Sequence, residues 1–175
     1  MPDKDAPESL STHGIGAEGL NALSARLPWL VAAHAEAGVA SWPSGQSNPR
    51  VTQYHDHTNL KGYDDKASWC SSFVNWCFSQ ANMPGIAGTG SALARSWLEW
   101  GDPLEVPVPG CIVVLYREDP NSWKGHVGFY IREDANFIYL FGGNQLEMVC
   151  ENSYPLQSVL GFRWPSFYPR NHHVE

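Results

Sequence analysis

The sequence predicts an α+β fold, with N-terminal helices packed on one antiparallel β-sheet. Two observations carry that prediction. From Pro28 to Trp100 the apolar residues recur three and four positions apart, which is helical spacing. After Pro109-Gly110 the pattern changes to short runs of branched and aromatic residues separated by turn residues. Helices first and strands afterwards, joined by turns too short for crossovers, give one antiparallel sheet with the helices on it.

In chain order, residues 1–24 read as a flexible lead-in, 25–170 as a single domain and 171–175 as a tail. Pro28 to Gly38 is the first helix, with proline in its first turn, glycine at its end and a buried stripe of Trp29, Leu30, Ala33 and Ala37. Asn48-Pro49 caps a short second helix through Val51 and Tyr54. His55-Asp56-His57 follows. Alternating histidines on a strand can hold a metal, but no third ligand is implied nearby, so the triplet reads as a polar loop. Ser68-Trp69-Cys70-Ser71-Ser72-Phe73-Val74-Asn75-Trp76-Cys77 opens a buried helix that ends near Asn82. Gly85 to Gly90 lacks the lysine and the preceding strand of a phosphate loop and reads as a connector. Ser91 caps a helix over Ala92 to Trp100, which Gly101-Asp102-Pro103 ends. Strands follow at Cys111 to Tyr116, His126 to Ile131, Phe137 to Phe141, Met148 to Cys150 and Val159 to Trp164.

Composition bounds the function. The 175 residues are 43% hydrophobic and 17% charged, enough to bury one real core. Eight Trp, seven Tyr and seven Phe point to a core or groove built on flat rings. The net charge is −7, and no Lys/Arg-rich run appears, so the electrostatic signature of nucleic-acid binding is absent. No apolar run reaches the length of a membrane span, and no hydrophobic signal region follows Met1. The expectation is synthesis in the cytoplasm, without an ordinary cleaved signal and without membrane insertion. Four cysteines, at 70, 77, 111 and 150, form no zinc-type pair. Cys77 reads as core, and a bridge between Cys111 and Cys150 is weakly supported.

The chemistry centres on Cys70. A thiol at a helix start faces unpaired backbone N–H groups and the positive end of the helix dipole, which favours the nucleophilic thiolate. Such a nucleophile needs a base to carry its proton and a third group to hold the base. His126 opens a strand between Gly125 and Gly128, and Asn144 lies just after the end of the next strand. If those strands form a hairpin, His126 and Asn144 share one sheet edge, and the Cys70 helix can pack across it. The order Cys, His, Asn along the chain is that of papain-like enzymes.

Taken together, Pro28-Trp29, Asn48-Pro49-Arg50, Trp69 to Trp76, Ala94 to Gly101, Pro109 to Leu115, Gly125 to Tyr130 and Gly142-Gly143-Asn144-Gln145 resemble the bacterial and phage cell-wall cysteine peptidases of the NlpC and CHAP groups. The likeness is greatest to a small-domain branch found in phage and in type VI secretion toxins. The resemblance implies a papain-like fold, with Cys70 as nucleophile, His126 as base and Asn144 as orienting residue. It implies the Cys70 backbone N–H as an oxyanion donor, with Tyr54 and Tyr63 as side-chain candidates, and Trp69 and Gln145 as candidates for the groove. Cys111 stands where such sequences usually have aspartate. No metal and no cofactor are implied. The expected activity is hydrolysis of a stem-peptide amide bond of peptidoglycan. The expected setting is an antibacterial toxin acting on the wall of a target cell, with a secretion carrier and a cognate immunity protein as partners. The rival readings are a phage endolysin, a catalytically silent wall-binding module, and a protein deamidase or acyltransferase.

Overall fold

The computed structural model describes residues 26–170. The expected lead-in and tail lie outside them. Helix α1 is Pro28–Ala35, α2 is Pro49–His55 and α3 is Cys70–Ala81. A 3-10 helix at Ala94–Glu99 precedes six strands: β1 Asp102–Leu104, β2 Ile112–Tyr116, β3 Gly125–Glu133, β4 Phe137–Gln145, β5 Met148–Pro155 and β6 Val159–Trp164. They form one sheet in the order β1-β6-β2-β3-β4-β5, with every pairing antiparallel. Among the described residues no helix is long and apolar enough to cross a membrane.

α3 is the hub. Every residue from Cys70 to Phe78 is buried, so this helix is covered all round rather than along one stripe. Its polar residues are therefore paired. Ser71 Oγ donates to the Ser91 carbonyl (2.6 Å) and accepts from Trp97 Nε1 (2.9 Å). Asn75 Oδ1 accepts from the Gly90 amide (2.8 Å), tying the 85–90 connector to the helix. Ser72 Oγ lies 2.8 Å from His55 Nδ1. No buried side-chain polar atom is left without a partner among the described residues. Asn82, in the left-handed region at φ 48°, ends the helix.

The segment after α1 adds to the sheet edge. The Gly38 amide donates to the Val149 carbonyl (2.8 Å), and the Val149 amide donates to the Val39 carbonyl (2.8 Å). Glu36, not Ala37, is the buried residue at the end of the α1 stripe. Arg50 clasps its carboxylate with Nε (2.7 Å) and Nη2 (2.6 Å), and the Tyr54 hydroxyl donates to it as well. Asp65, also buried, accepts from the Trp42 amide (2.7 Å) and the Asn48 amide (2.8 Å), so the 40–48 loop is pinned just ahead of α3.

Several expectations change. The helix expected over Ala92 to Trp100 is the shorter 3-10 turn, because its residues serve as covers for the sheet and the Trp97 indole is drawn onto Ser71. Asp102-Pro103 does not merely stop it. These residues enter edge strand β1, opposite Trp164 and Arg163, where proline is tolerated for lack of an outer neighbour. β5 runs on to Pro155 because β4 pairs with it along its length. His55 is no loop residue: it ends α2, is fully buried and bonds Ser72 and the Asp64 carbonyl. Cys111 and Cys150 are both free thiols.

Candidate active site

Cys70 is the first residue of α3 and is 3% exposed. The N-cap residue, Trp69, offers no side-chain cap, since its indole Nε1 donates to Ser41 Oγ (3.0 Å). The first-turn amides are thus not consumed by a capping side chain. Burial pushes the Cys70 thiol up. Hydrogen bonding to His126, the charge of His126, the Val127 amide and Ser68 together outweigh it and hold the thiol below its ordinary value. That is the direction a nucleophilic thiol requires.

His126 lies at the start of β3 and is 6% exposed. Its Nε2 is 2.9 Å from Gln145 Oε1 and 3.1 Å from the Tyr154 hydroxyl. With both neighbours on Nε2, the nitrogen left for the thiol is Nδ1. Gln145 also decides the tautomer. Its amide nitrogen donates to the Leu140 carbonyl (3.0 Å) and the Cys150 carbonyl (2.5 Å), so its oxygen must face the imidazole. An oxygen there demands a proton on Nε2. Nδ1 is then free to accept a proton from the thiol or return it.

The orienting contact belongs to Gln145 and not to Asn144. The glycines and Asn144 do not follow β4 but lie inside it. Asn144 sits in the left-handed region at φ 55°, a conformation asparagine tolerates better than most residues. The β4–β5 register shifts between Gly142 and Gln145. Asn144 is thereby turned to Ser68, to which its Nδ2 donates at 3.4 Å, while Gln145 comes round to the imidazole. Gly143 makes the crossing of β4 and α3 close: a Cβ there would lie 2.6 Å from Phe73 Cβ and 2.8 Å from the Trp69 ring.

The other expected site residues fall elsewhere. Gln145 and Trp69 are buried. Tyr54 is buried, and its hydroxyl is committed to Glu36, so it is not free to face an oxyanion. Tyr63 is 56% exposed and makes no side-chain hydrogen bond with the site residues. What opens at Cys70 is a cavity of about 190 Å³ lined by residues that include Ser68, Leu93, Arg117, Trp123 and Lys124. Arg95 shapes its wall: the guanidinium donates to the Lys124 (2.8 and 2.9 Å), Pro120 (2.8 Å) and Asp119 (3.2 Å) carbonyls of the β2–β3 loop. Trp123 at the rim is 71% exposed. Among the described residues no group of three or more His, Cys, Asp or Glu is placed to hold a metal ion.

The sequence reading gave Gln145 to the groove and not to the contact with His126, and gave no role to Tyr154. For Gln145 the available signal was its place in the Gly-Gly-Asn-Gln run. Nothing in the sequence pointed to Tyr154.

The CHAP domain family model matches residues 62–144, a stretch that holds Cys70 and His126 and stops one residue short of Gln145. No curated protein matches the chain. A crystal structure of a protein similar to lipoprotein, NLP/P60 family, from Staphylococcus aureus is similar at 14% identity and a TM-score of 0.42, over 89% of this chain and 44% of that one. The chain thus spans less than half of that relative's length. Residues 62–144 resemble a CHAP domain, and the helices of the described residues lie on one antiparallel sheet.

Proposed function

We propose that the protein is a cysteine amidase or endopeptidase that cuts an amide bond of the peptidoglycan stem peptide, with Cys70 as nucleophile, His126 as proton carrier and Gln145 as orienting residue. The observation that carries this reading is the buried Cys70 thiol at the wall of a cavity, held below its ordinary value by His126, whose Nε2 in turn bonds Gln145. The Cys70 thiolate bonds to the amide carbon, and the resulting oxyanion faces the first-turn amides of α3. The proton on His126 Nδ1 passes to the departing nitrogen as the C–N bond breaks, leaving a thioester. Water then gives a proton to Nδ1 and its oxygen to the carbonyl carbon, and the Cys70 thiolate leaves. The proton on Nε2 stays in place throughout. A silent wall-binding module would have no use for a buried thiol held ready in this way.

The test is mass spectrometry of purified peptidoglycan after incubation with the wild type and with Cys70→Ala. New muropeptides from the wild type alone are expected, and their masses identify the bond. Products from both proteins, or from neither on walls of several chemotypes, would overturn the reading. In the second case, release of ammonia from protein glutamine would favour the deamidase alternative. The same proposal includes delivery as an antibacterial type VI effector. Its immunity protein would cover the cavity rim at Leu93 and Trp123 and block alkylation of Cys70.

A further inference from the structure

The hydroxyl of Tyr154 makes a contact that the proposed reaction leaves unused. It lies 3.1 Å from His126 Nε2, the nitrogen whose proton already points to Gln145 Oε1 at 2.9 Å. The Tyr154 ring also packs against the imidazole, with centroids 4.9 Å apart and planes inclined by 30°. Nε2 has one proton and two oxygens within reach. Gln145 Oε1 is the nearer acceptor, and the Tyr154 oxygen is the second. We propose that Tyr154 is a positioning residue for the thiolate–imidazolium pair, its oxygen sharing the Nε2 proton and its ring preventing the imidazole from turning about its Cβ–Cγ bond.

The surroundings fit this role. Burial, the largest influence, holds the Tyr154 phenol well above its ordinary range, so it remains a neutral hydroxyl across the working pH. A neutral hydroxyl oxygen can accept the Nε2 proton while the ring covers one face of the imidazole. The titratable and charged groups that face this pair are Cys70 on α3, Cys150 on β5 and Arg117 just past the end of β2. Glu118 and Lys124 on the cavity wall lie beyond them and are paired with each other at 2.7 Å. Neither Gln145 nor Arg117 can supply the lost contact, because Gln145 is fixed by two carbonyls and Arg117 bears the wrong charge for imidazolium.

This inference rests on the Cys70–His126 pairing of the proposed function but not on peptidoglycan being the substrate. Its test therefore needs no substrate. The rate of Cys70 alkylation by iodoacetamide is measured against pH on the full chain, with Cys70 separated from Cys77, Cys111 and Cys150 by peptide fragmentation. The wild type should show two steps, one for formation of the ion pair and a later one for loss of the imidazolium proton. In Tyr154→Phe, which keeps the ring, the two steps should draw together, each moving by about half to one pH unit, the worth of one hydrogen bond. If Tyr154 is only a packing residue, both steps stay where they are, and that result overturns the proposal. Should Tyr154→Phe fail to fold, 3-fluorotyrosine incorporation weakens the same oxygen as an acceptor while keeping ring and hydroxyl. Unmoved steps in the fluorinated protein would equally overturn it. A wild type that shows these steps yet cuts no peptidoglycan would sink the substrate assignment and leave Tyr154 in its role.

Discussion

One residue separates Asn144, turned to Ser68, from Gln145, bonded to the His126 imidazole. The difference has a measurable consequence. Gln145→Ala should lower kcat at least about tenfold, because the imidazole loses the acceptor that sets its tautomer. Asn144→Ala should stay within about threefold, since only a long contact to Ser68 is lost. Steady-state kinetics of the two variants, with melting curves to confirm folding, decide the matter. Equal losses would return Asn144 to the site. The places of Cys70 at a helix start and of His126 at a strand start were legible in the sequence, because type and spacing mark both. The contact of Gln145 with His126 was not, because a left-handed residue inside a strand turns two neighbours in unexpected directions, and no spacing rule carries that.

The reactive pair is assembled where α3 crosses the sheet, and the closeness of that crossing depends on Gly143. Gly143→Ala would drive a methyl into Phe73 and Trp69, at 2.6 and 2.8 Å. Overpacking of this kind costs about 1–3 kcal/mol. We expect a lower melting temperature together with weaker activity, since the same push moves the helix start that bears Cys70. A fully stable and fully active variant would show that the crossing tolerates slack. The β2–β3 loop is held differently, by the Arg95 guanidinium on three backbone carbonyls. Arg95→Ala should raise KM by several-fold and leave the reactivity of Cys70 with iodoacetamide unchanged, because the guanidinium holds the loop that lines the cavity and bonds neither Cys70 nor His126. A fall in alkylation rate would mean that the loop also supports the pair. Of the elements, the long ones were read from periodicity. β1 and the 3-10 turn escaped because three residues against a sheet edge, and a helix tightened by its neighbours, are products of packing.

Acid should destabilise the protein in two stages. Burial holds His55 and His34 below the ordinary imidazole value of 6.5, so the folded chain binds fewer protons there than the unfolded chain. Stability must then fall as pH drops through that value. For Glu36, burial raises the carboxyl, but hydrogen bonds from Arg50 and Tyr54 and the charge of Arg50 outweigh it. Asp65 is likewise raised by burial and lowered further by Lys66 and the Asn48 and Trp42 amides. Their stabilisation is present above the ordinary values of 4.5 and 3.8 and is lost as pH falls through and below them. Melting temperatures measured from pH 8 down to pH 3 should show a decline beginning near neutrality and a steeper one in the carboxylate range. A profile flat down to pH 5 would contradict the burial of neutral histidines, and His55→Ala should remove much of the first decline.

Composition, periodicity and residue type were enough for the order of helices and strands and for choosing Cys70 and His126 as candidates. Those features are local: a thiol at a helix start or a branched run in a strand carries its meaning within about a dozen residues. Side-chain direction is not local. Whether Asn144 or Gln145 meets the imidazole, why Trp69 and Tyr54 lie in the core rather than at the cleft, and how Tyr154 comes to lie against His126 all depend on strands brought together from far along the chain. Backbone twist and helix packing made those choices, through the left-handed turn at Asn144 and the absent side chain at Gly143.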